Sequence, residues 1–323
     1  MIVLVTGAGG FLGRQVVAAL ALKGYGVRTT TRADQVVAAP DLEESNDTFE
    51  RAVHCNLRTG EGVCAACEGV EAVLHLAIDK SGTEDDMVDF AIVSTTHLLR
   101  ALRGTNKRLI LASSFSVYNW EHVGQVLTEQ SPLHSEKTVA ALDGYTRAKV
   151  AQEHTARLLC HKWKIALTVV RPATIWADAS VHLSCIGPEI GPIRFVIGPI
   201  RALQLTHVLN CASAFAAVMD DRAAGWTFNV VDGFHENAWR FSQVPITRFR
   251  IPIPLTVARA CLQVCAAVYR QTGRSRHIPG LLIAARFCAR FHLAAADHTQ
   301  LTRVLGWVPP YPYHACRSGT GVD

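Results

Sequence analysis

The chain opens on an unbroken apolar run, Ile2-Val3-Leu4-Val5, then a glycine-rich turn, then apolar positions at helical spacing from Leu12 to Lys23. Short apolar runs bounded by turn residues read as buried strands, and spacings of three and four read as helices. By that rule strands are predicted at Gly26–Thr31, Ala52–Cys55, Ala72–Leu76, Arg108–Ser113 and Ile165–Arg171. Helices are predicted at Glu61–Cys67, Asp85–Leu102 and Tyr145–His161. Strands alternating with helices predict parallel βαβ units with helices on both faces of a sheet. Beyond Pro172 the alternation decays. Gly187-Pro188, Gly191-Pro192 and Gly198-Pro199 mark turns, and further helices are predicted at Pro254–Gln271 and Pro279–Arg290.

Composition adds limits. At 323 residues, 49% hydrophobic and 18% charged, the chain is globular and large enough for two parts. No apolar run reaches the length of a membrane span; the longest candidate, Ile253–Tyr269, is broken by Arg259 and Gln263. The apolar start lacks a basic leader and reads as a strand, so a cytoplasmic location is expected. Ten cysteines without a framework suit a reducing compartment, and Cys64-Ala-Ala-Cys67, with no second pair, reads as structural thiols. The histidines give no metal signal, and no metal is expected. From position 201 onward there are 13 Arg, no Lys and 6 acids, while the whole chain carries +5. Without a nucleic-acid motif beside it, that charge suits a small anionic ligand, an acidic partner, or simply a basic surface.

Candidate chemistry begins where the first strand ends. Gly7, Gly10 and Gly13 are spaced by three between a strand and a helix. Glycines there permit a tight turn and close backbone approach to a pyrophosphate, and the helix N-terminus favours the anion. A dinucleotide site is predicted. Downstream, Tyr145 and Lys149 stand four apart on a predicted helix and so share a face, two groups able to carry and tune a proton at one place.

Thr6-Gly-x-x-Gly-x-x-Gly13 with Tyr145-x-x-x-Lys149 resembles the short-chain dehydrogenase/reductase superfamily. Val73-Leu-His-Leu-Ala77, Ser113-Ser-Phe-Ser-Val-Tyr118, Val170-Arg-Pro-Ala-Thr-Ile175, Thr206-His-Val208, Phe228-Asn-Val230 and Leu305-Gly-Trp-Val-Pro309 resemble its extended, epimerase/dehydratase-type branch. The resemblance covers nearly the whole chain in the family's order. It implies an α/β fold, a Rossmann-type doubly wound parallel sheet over residues 1–175, with a smaller C-terminal substrate-binding part over 176–323 and a chain that crosses between the two. It also implies NAD or NADP as cofactor, contacted by Gly7, Gly10, Phe11, Leu12, Gly13, Asn56, Leu57, Leu76, Ala77, Tyr145, Lys149 and Pro172. Asn56-Leu57 stands where the family has Asp-Leu near the adenine.

NAD sites place a carboxylate at the end of the second strand for the ribose 2′-hydroxyl. By resemblance Thr31 holds that position and Arg32 follows, so NADP is favoured, with Arg32 pairing the 2′-phosphate. In the catalytic set the resemblance implies, Tyr145 exchanges a proton with the substrate oxygen. A nearby Lys149 ammonium lowers its pKa, and Lys149 also bonds the nicotinamide ribose. Ser114 holds the substrate oxygen, with Ser113 the neighbouring alternative. His75 matches a strand-end histidine and reads as structural.

Dehydratases of this branch carry an Asp-Glu pair after the serine. Phe115-Ser116 stands here, which disfavours dehydration. Ala91-Ile-Val-Ser94-Thr95, Asn119, Ala177 and Asn210 also depart from the branch pattern and weaken transfer of any particular sugar-nucleotide substrate.

Three functions follow in order. The first is an epimerase or oxidoreductase of a nucleotide sugar, with Arg248, Arg250 or Arg286 as diphosphate candidates. The second is an NADP-dependent reductase or dehydrogenase of an apolar ketone or sterol-like alcohol, suggested by Thr31-Arg32 and by Ile251–Leu255 and Leu281–Ile283. The third is a cofactor-binding sensor or scaffold without turnover, against which the intact Ser-Tyr-Lys set argues. A small-molecule substrate, no nucleic acid, and a homodimer through Asp85–Leu102 and Tyr145–His161 are expected.

Overall fold

The structure is a computed structural model and describes residues 1–31, 52–177, 184–234, 236–242, 249–271 and 283–318. The first half runs β1 (Ile2–Thr6), α1 (Phe11–Leu22), β2 (Gly26–Thr31), β3 (Val53–His54), α2 (Val63–Cys67), β4 (Ala72–His75), α3 (Glu84–Leu102) and β5 (Arg108–Ala112). It continues through β6 (Val126–Leu127), α4 (Glu136–Val139), α5 (Gly144–Trp163), β7 (Leu167–Pro172) and β8 (Thr174–Trp176). Then come β9 (Glu189–Ile190), β10 (Ile193–Ile197), β11 (Leu205–His207), α6 (Val208–Ala217), β12 (Thr227–Val230) and α7 (Ala238–Phe241). The last elements are β13 (Phe249–Ile253), α8 (Leu255–Gln271), α9 (Ala284–Arg290), β14 (Ala295–Ala296), α10 (Thr299–Leu305) and α11 (Tyr313–Ser318).

Seven strands form one parallel sheet in the order β12-β7-β5-β4-β1-β2-β3. The strand order reverses between β1 and β4. In doubly wound sheets that switch point, at the carboxyl ends, is where ligands bind. The central strands are apolar on both faces, because helices cover both. One core joins Val3, Val5, Leu74 and Ile110 to α1, α6 and α10. The other joins Leu4, Val73, Leu109 and Leu111 to α2, α3 and α5.

The chain crosses between its two parts. β12 and α6 come from beyond position 175, yet they complete the sheet and the first core. The remainder builds a smaller lobe of β13-β10-β9, where Gly191-Pro192 makes the turn between β9 and β10. Its core gathers Trp176, Phe241, Cys185 and Val196, with Phe234 and Tyr313 packed against them. α9 begins at Ala284 rather than Pro279; residues 279–282 lie outside the described residues, as do Arg32, Arg248 and the first two residues of Leu281–Ile283.

Candidate active site

The turn from β1 into α1 is fitted to a close-approaching ligand. Gly7 sits at φ +76°, and a Cβ there would lie 2.8 Å from the Ala77 backbone nitrogen. A Cβ on Gly13 would collide with the Gly7 carbonyl oxygen, so both positions exclude side chains. Gly10 donates its N–H to the Gly7 carbonyl at 3.1 Å and caps α1. No side chain caps that helix and no acid stands in its first turn, leaving N–H donors and the positive dipole end for an anion. These residues fit a dinucleotide pyrophosphate. Phe11 is exposed beside the turn and Leu12 is half-buried against the first core. Leu76 and Ala77 leave the end of β4, and Pro172 ends β7. All of these surround the carboxyl ends of the sheet.

Asn56 spends its carbonyl oxygen within its own turn, accepting from the backbone N–H of Arg58 at 2.9 Å and of Thr59 at 3.3 Å. Only its NH2 remains to meet a ligand. The Leu57 side chain is buried in the second core, so that residue has only its backbone to offer.

Tyr145 and Lys149 on α5 and Ser114 just after β5 lie at the carboxyl end of the sheet. Asp143 caps α5, accepting from Thr146 N–H at 3.0 Å, which fixes the helix start one residue before Tyr145. Gly144 lets α5 approach α3 closely: a Cβ there would lie 2.6 Å from the Glu84 Cβ. The Ser114 hydroxyl lies beside the Tyr145 phenol, near enough to oppose the rise of its pKa. It also accepts from Ser116 N–H at 3.1 Å. Ser113 points the other way, donating to Glu153 at 2.6 Å inside the protein. The geometry separates the two serines that the sequence left as alternatives.

Lys149 is 3% exposed, and its Nζ donates to the Ala112 carbonyl at 2.7 Å and to Gln152 Oε1 at 2.9 Å. Burial, with the Lys80 ammonium beside it, brings the amine down to about 7, against the opposing pull of Glu153. The expected lowering of the Tyr145 phenol by Lys149 is not found in this state. Burial raises the phenol, Asp143 and Cys211 push the same way, and the Ser114 hydroxyl opposes them. The reason is desolvation: a phenolate in this cleft loses more hydration than its neighbours return. Lys80 lies over the Tyr145 ring, its Nζ 5.5 Å from the centroid.

Sequence reasoning missed Gln152, which stands three residues after Lys149 and hence on the same face. Its Nε2 lies 3.1 Å from His75 Nε2, and His75 Nδ1 lies 2.8 Å from Thr6 Oγ1. With Gln152 donating, His75 carries its proton on Nδ1 and gives it to Thr6. Burial, followed by the Lys149 charge, brings His75 down to about 3, so it stays neutral. A buried polar chain therefore runs from the end of β1 through His75 and Gln152 to Lys149. Ser94, in the segment that departs from the branch pattern, lies beside it at 3.5 Å from His75.

Glu153 was missed as well. It is buried and takes two hydrogen bonds from Arg171, with Oε2 3.1 Å from Nε. Arg171 goes on to Tyr118, whose hydroxyl donates to Asn229 at 2.7 Å. Asn210 makes structural use of its amide, donating to Tyr311 O and accepting from Tyr311 N–H, both at 2.9 Å. A carboxylate has no donor for the first bond.

Two of the three arginines considered for a diphosphate are engaged elsewhere. Arg250 stacks on Trp239 and donates to its carbonyl at 3.0 Å; Arg286 donates to Leu142 O at 2.7 Å and Ala141 O at 3.2 Å. The CxxC pair sits on α2, with Cys67 buried and pushed up to about 12 by burial and Cys64 exposed. Among the described residues no cluster of His, Cys, Asp and Glu is placed to hold a metal ion, and no helix is long and apolar enough to cross a membrane.

Residues 3–179 match the family model described as NAD dependent epimerase/dehydratase family. Sterol demethylase protein B of Methylococcus capsulatus is 32% identical over 209 residues, covering 62% of this chain and 59% of that protein. Cinnamoyl-CoA reductase 1 of Petunia hybrida is 31% identical over 115 residues, covering 35% of this chain and 34% of that one. The chain thus spans well under two thirds of the length of these relatives. In fold it is similar to the crystal structure of UDP-glucose 4-epimerase with UDP-glucose from Thermotoga maritima, with a TM-score of 0.65 at 18% identity over 98% of this chain and 96% of that one.

Proposed function

From the premise that this chain belongs to the NAD-dependent epimerase/dehydratase family, we propose that it is an oxidoreductase interconverting a secondary alcohol and a ketone on an apolar, sterol-like substrate. The observation that carries the reading is the grouping of Ser114 with the Tyr145 phenol, one helical turn from Lys149, in a chain whose first strand ends in a glycine cradle. When bound, the nicotinamide supplies or accepts the hydride. Tyr145 gives its proton to the reduced oxygen, or takes it from the alcohol. Ser114 holds that oxygen in line with the phenol. Lys149, fixed by Ala112 and Gln152, would hold the nicotinamide ribose by hydrogen bond.

For the substrate, the engagement of Arg250 and Arg286 in backbone contacts weighs against a diphosphate clamp. The name of one relative, a sterol demethylase protein, points to an apolar substrate. NADP is the preferred cofactor, since Thr31 ends β2 where an NAD site carries a carboxylate. A homodimer uses the outer faces of α3 and α5, where Ile92 and Leu158 are exposed.

Tyr145→Phe tests the chemistry: it keeps fold and cofactor binding but loses turnover by about 10²–10⁴-fold, the worth of a positioned proton donor. Near-wild-type turnover in that variant removes the proposal. A thermal-shift panel with NADPH present tests the substrate class. Stabilisation by UDP- or GDP-sugars and none by apolar ketones reverses the substrate assignment, and tighter binding of NAD than NADP reverses the cofactor preference.

A further inference from the structure

The lobe outside the active site carries an unusual charge pattern. From Asn237 to Ala296 the sequence holds nine arginines and no aspartate, glutamate or lysine. Within this stretch α8 has two apolar stripes. Leu255, Ala258 and Leu262 pack on Phe287, Phe291 and Ile197. Val257, Cys261, Val264 and Val268, spaced by four, three and four, form a second stripe about a third of a turn away. That stripe is uncovered: Val257 is 49%, Val264 64% and Val268 50% exposed, and Cys261 and its neighbour Cys265 are exposed too. The strand leading into the helix adds Phe249, 62% exposed, and Ile251, 42% exposed.

We infer that α8 rests on an anionic lipid surface, with the Val257–Val268 stripe seated at the boundary of headgroups and acyl chains. An interfacial helix needs an apolar face and cations, not the length of a span. Attraction to anionic headgroups acts over a Debye length of about 8 Å at physiological salt. That reach is comparable with the helix's own width of about 10–12 Å, so arginines on any side of it contribute. A second copy of the chain fits poorly: an isologous contact through α8 would bring one arginine-rich, acid-free stretch against another. Nucleic acid would satisfy the charge but leave the valine stripe without a role.

The test is co-sedimentation of the full chain with vesicles of phosphatidylcholine alone and with phosphatidylserine admixed. Binding is expected only to the mixed vesicles, released by salt, and weakened more than tenfold by Val264→Asp with Val268→Asp at unchanged thermal stability. Arg259→Glu, a change of two charges on the side of α8 away from the stripe, is expected to weaken it by about fivefold. Four results overturn the inference: no sedimentation with either vesicle; undiminished binding by the double variant; duplex DNA binding without vesicle binding; or a stripe-dependent dimer in light scattering without vesicle binding.

Discussion

Lys149 is a buried amine whose ionisation the fold opposes, and that opposition is measurable without knowing any substrate. An unfolded lysine titrates at 10.5; here burial holds the amine near 7. Between those values the folded protein binds fewer protons than the unfolded chain, so stability rises with pH across that window. Below 7 the amine is charged in both states and the full penalty stands, about 5 kcal/mol. From pH 6 to pH 8.5 about 2 kcal/mol of it is recovered, since the folded amine has become neutral while the unfolded one has not. At about 2.1 cal/mol/K of unfolding entropy per residue, a chain of 323 residues would gain about 3 °C in Tm. The control is Lys149→Met, which fills the space without a charge. Thermal unfolding of both proteins at the two pH values, free of cofactor, gives a difference of differences in which other titrations cancel. Wild type should gain about 3 °C more than the variant. Equal pH dependence would refute the buried, discharged amine, and with it the geometry that places Lys149 on Ala112 and Gln152.

Two further outcomes follow from the same structure. Gly13→Ala sets a Cβ against the Gly7 carbonyl and the Ala8 backbone, so it should cost about 1–3 kcal/mol of stability and at least about tenfold in NADP affinity by fluorescence titration. Glu153→Ala leaves Arg171 buried without its carboxylate and should cost about 3–5 kcal/mol in urea unfolding; a loss under 1 kcal/mol would mean the pair carries little.

The parts of the site legible in the sequence are those set by local spacing. The glycines at intervals of three had to form a strand-to-helix turn, and Tyr145 and Lys149 had to share a helix face whatever lay around them. What the sequence concealed was set by distant partners. Glu153 gained its role from Arg171 on β7 and from Ser113 just after β5, and Gln152 from His75 at the end of β4. Lys80 reaches the Tyr145 ring from the segment after β4, a proximity that no spacing encodes. β13 was read only as an apolar segment because Pro252 and Pro254 interrupt it. It is an edge strand of its sheet, where a proline's missing N–H is tolerated. The local role of Asn56 was also hidden: its acceptor closes a turn on Arg58 and Thr59.

The crossing of the chain into its own sheet bears on how the protein is made. β7 ends at Pro172 and its neighbour β12 begins at Thr227, so during synthesis a nascent sheet presents β7 as an unpaired edge while the intervening residues are added. At about 5–20 residues per second that interval lasts several seconds, long compared with hairpin or helix formation. Val169 and Val170 lie on that open rim. A ribosome stalled inside this interval would therefore hold a template to which stray strands can add, and chaperone demand should peak there rather than at the end of translation.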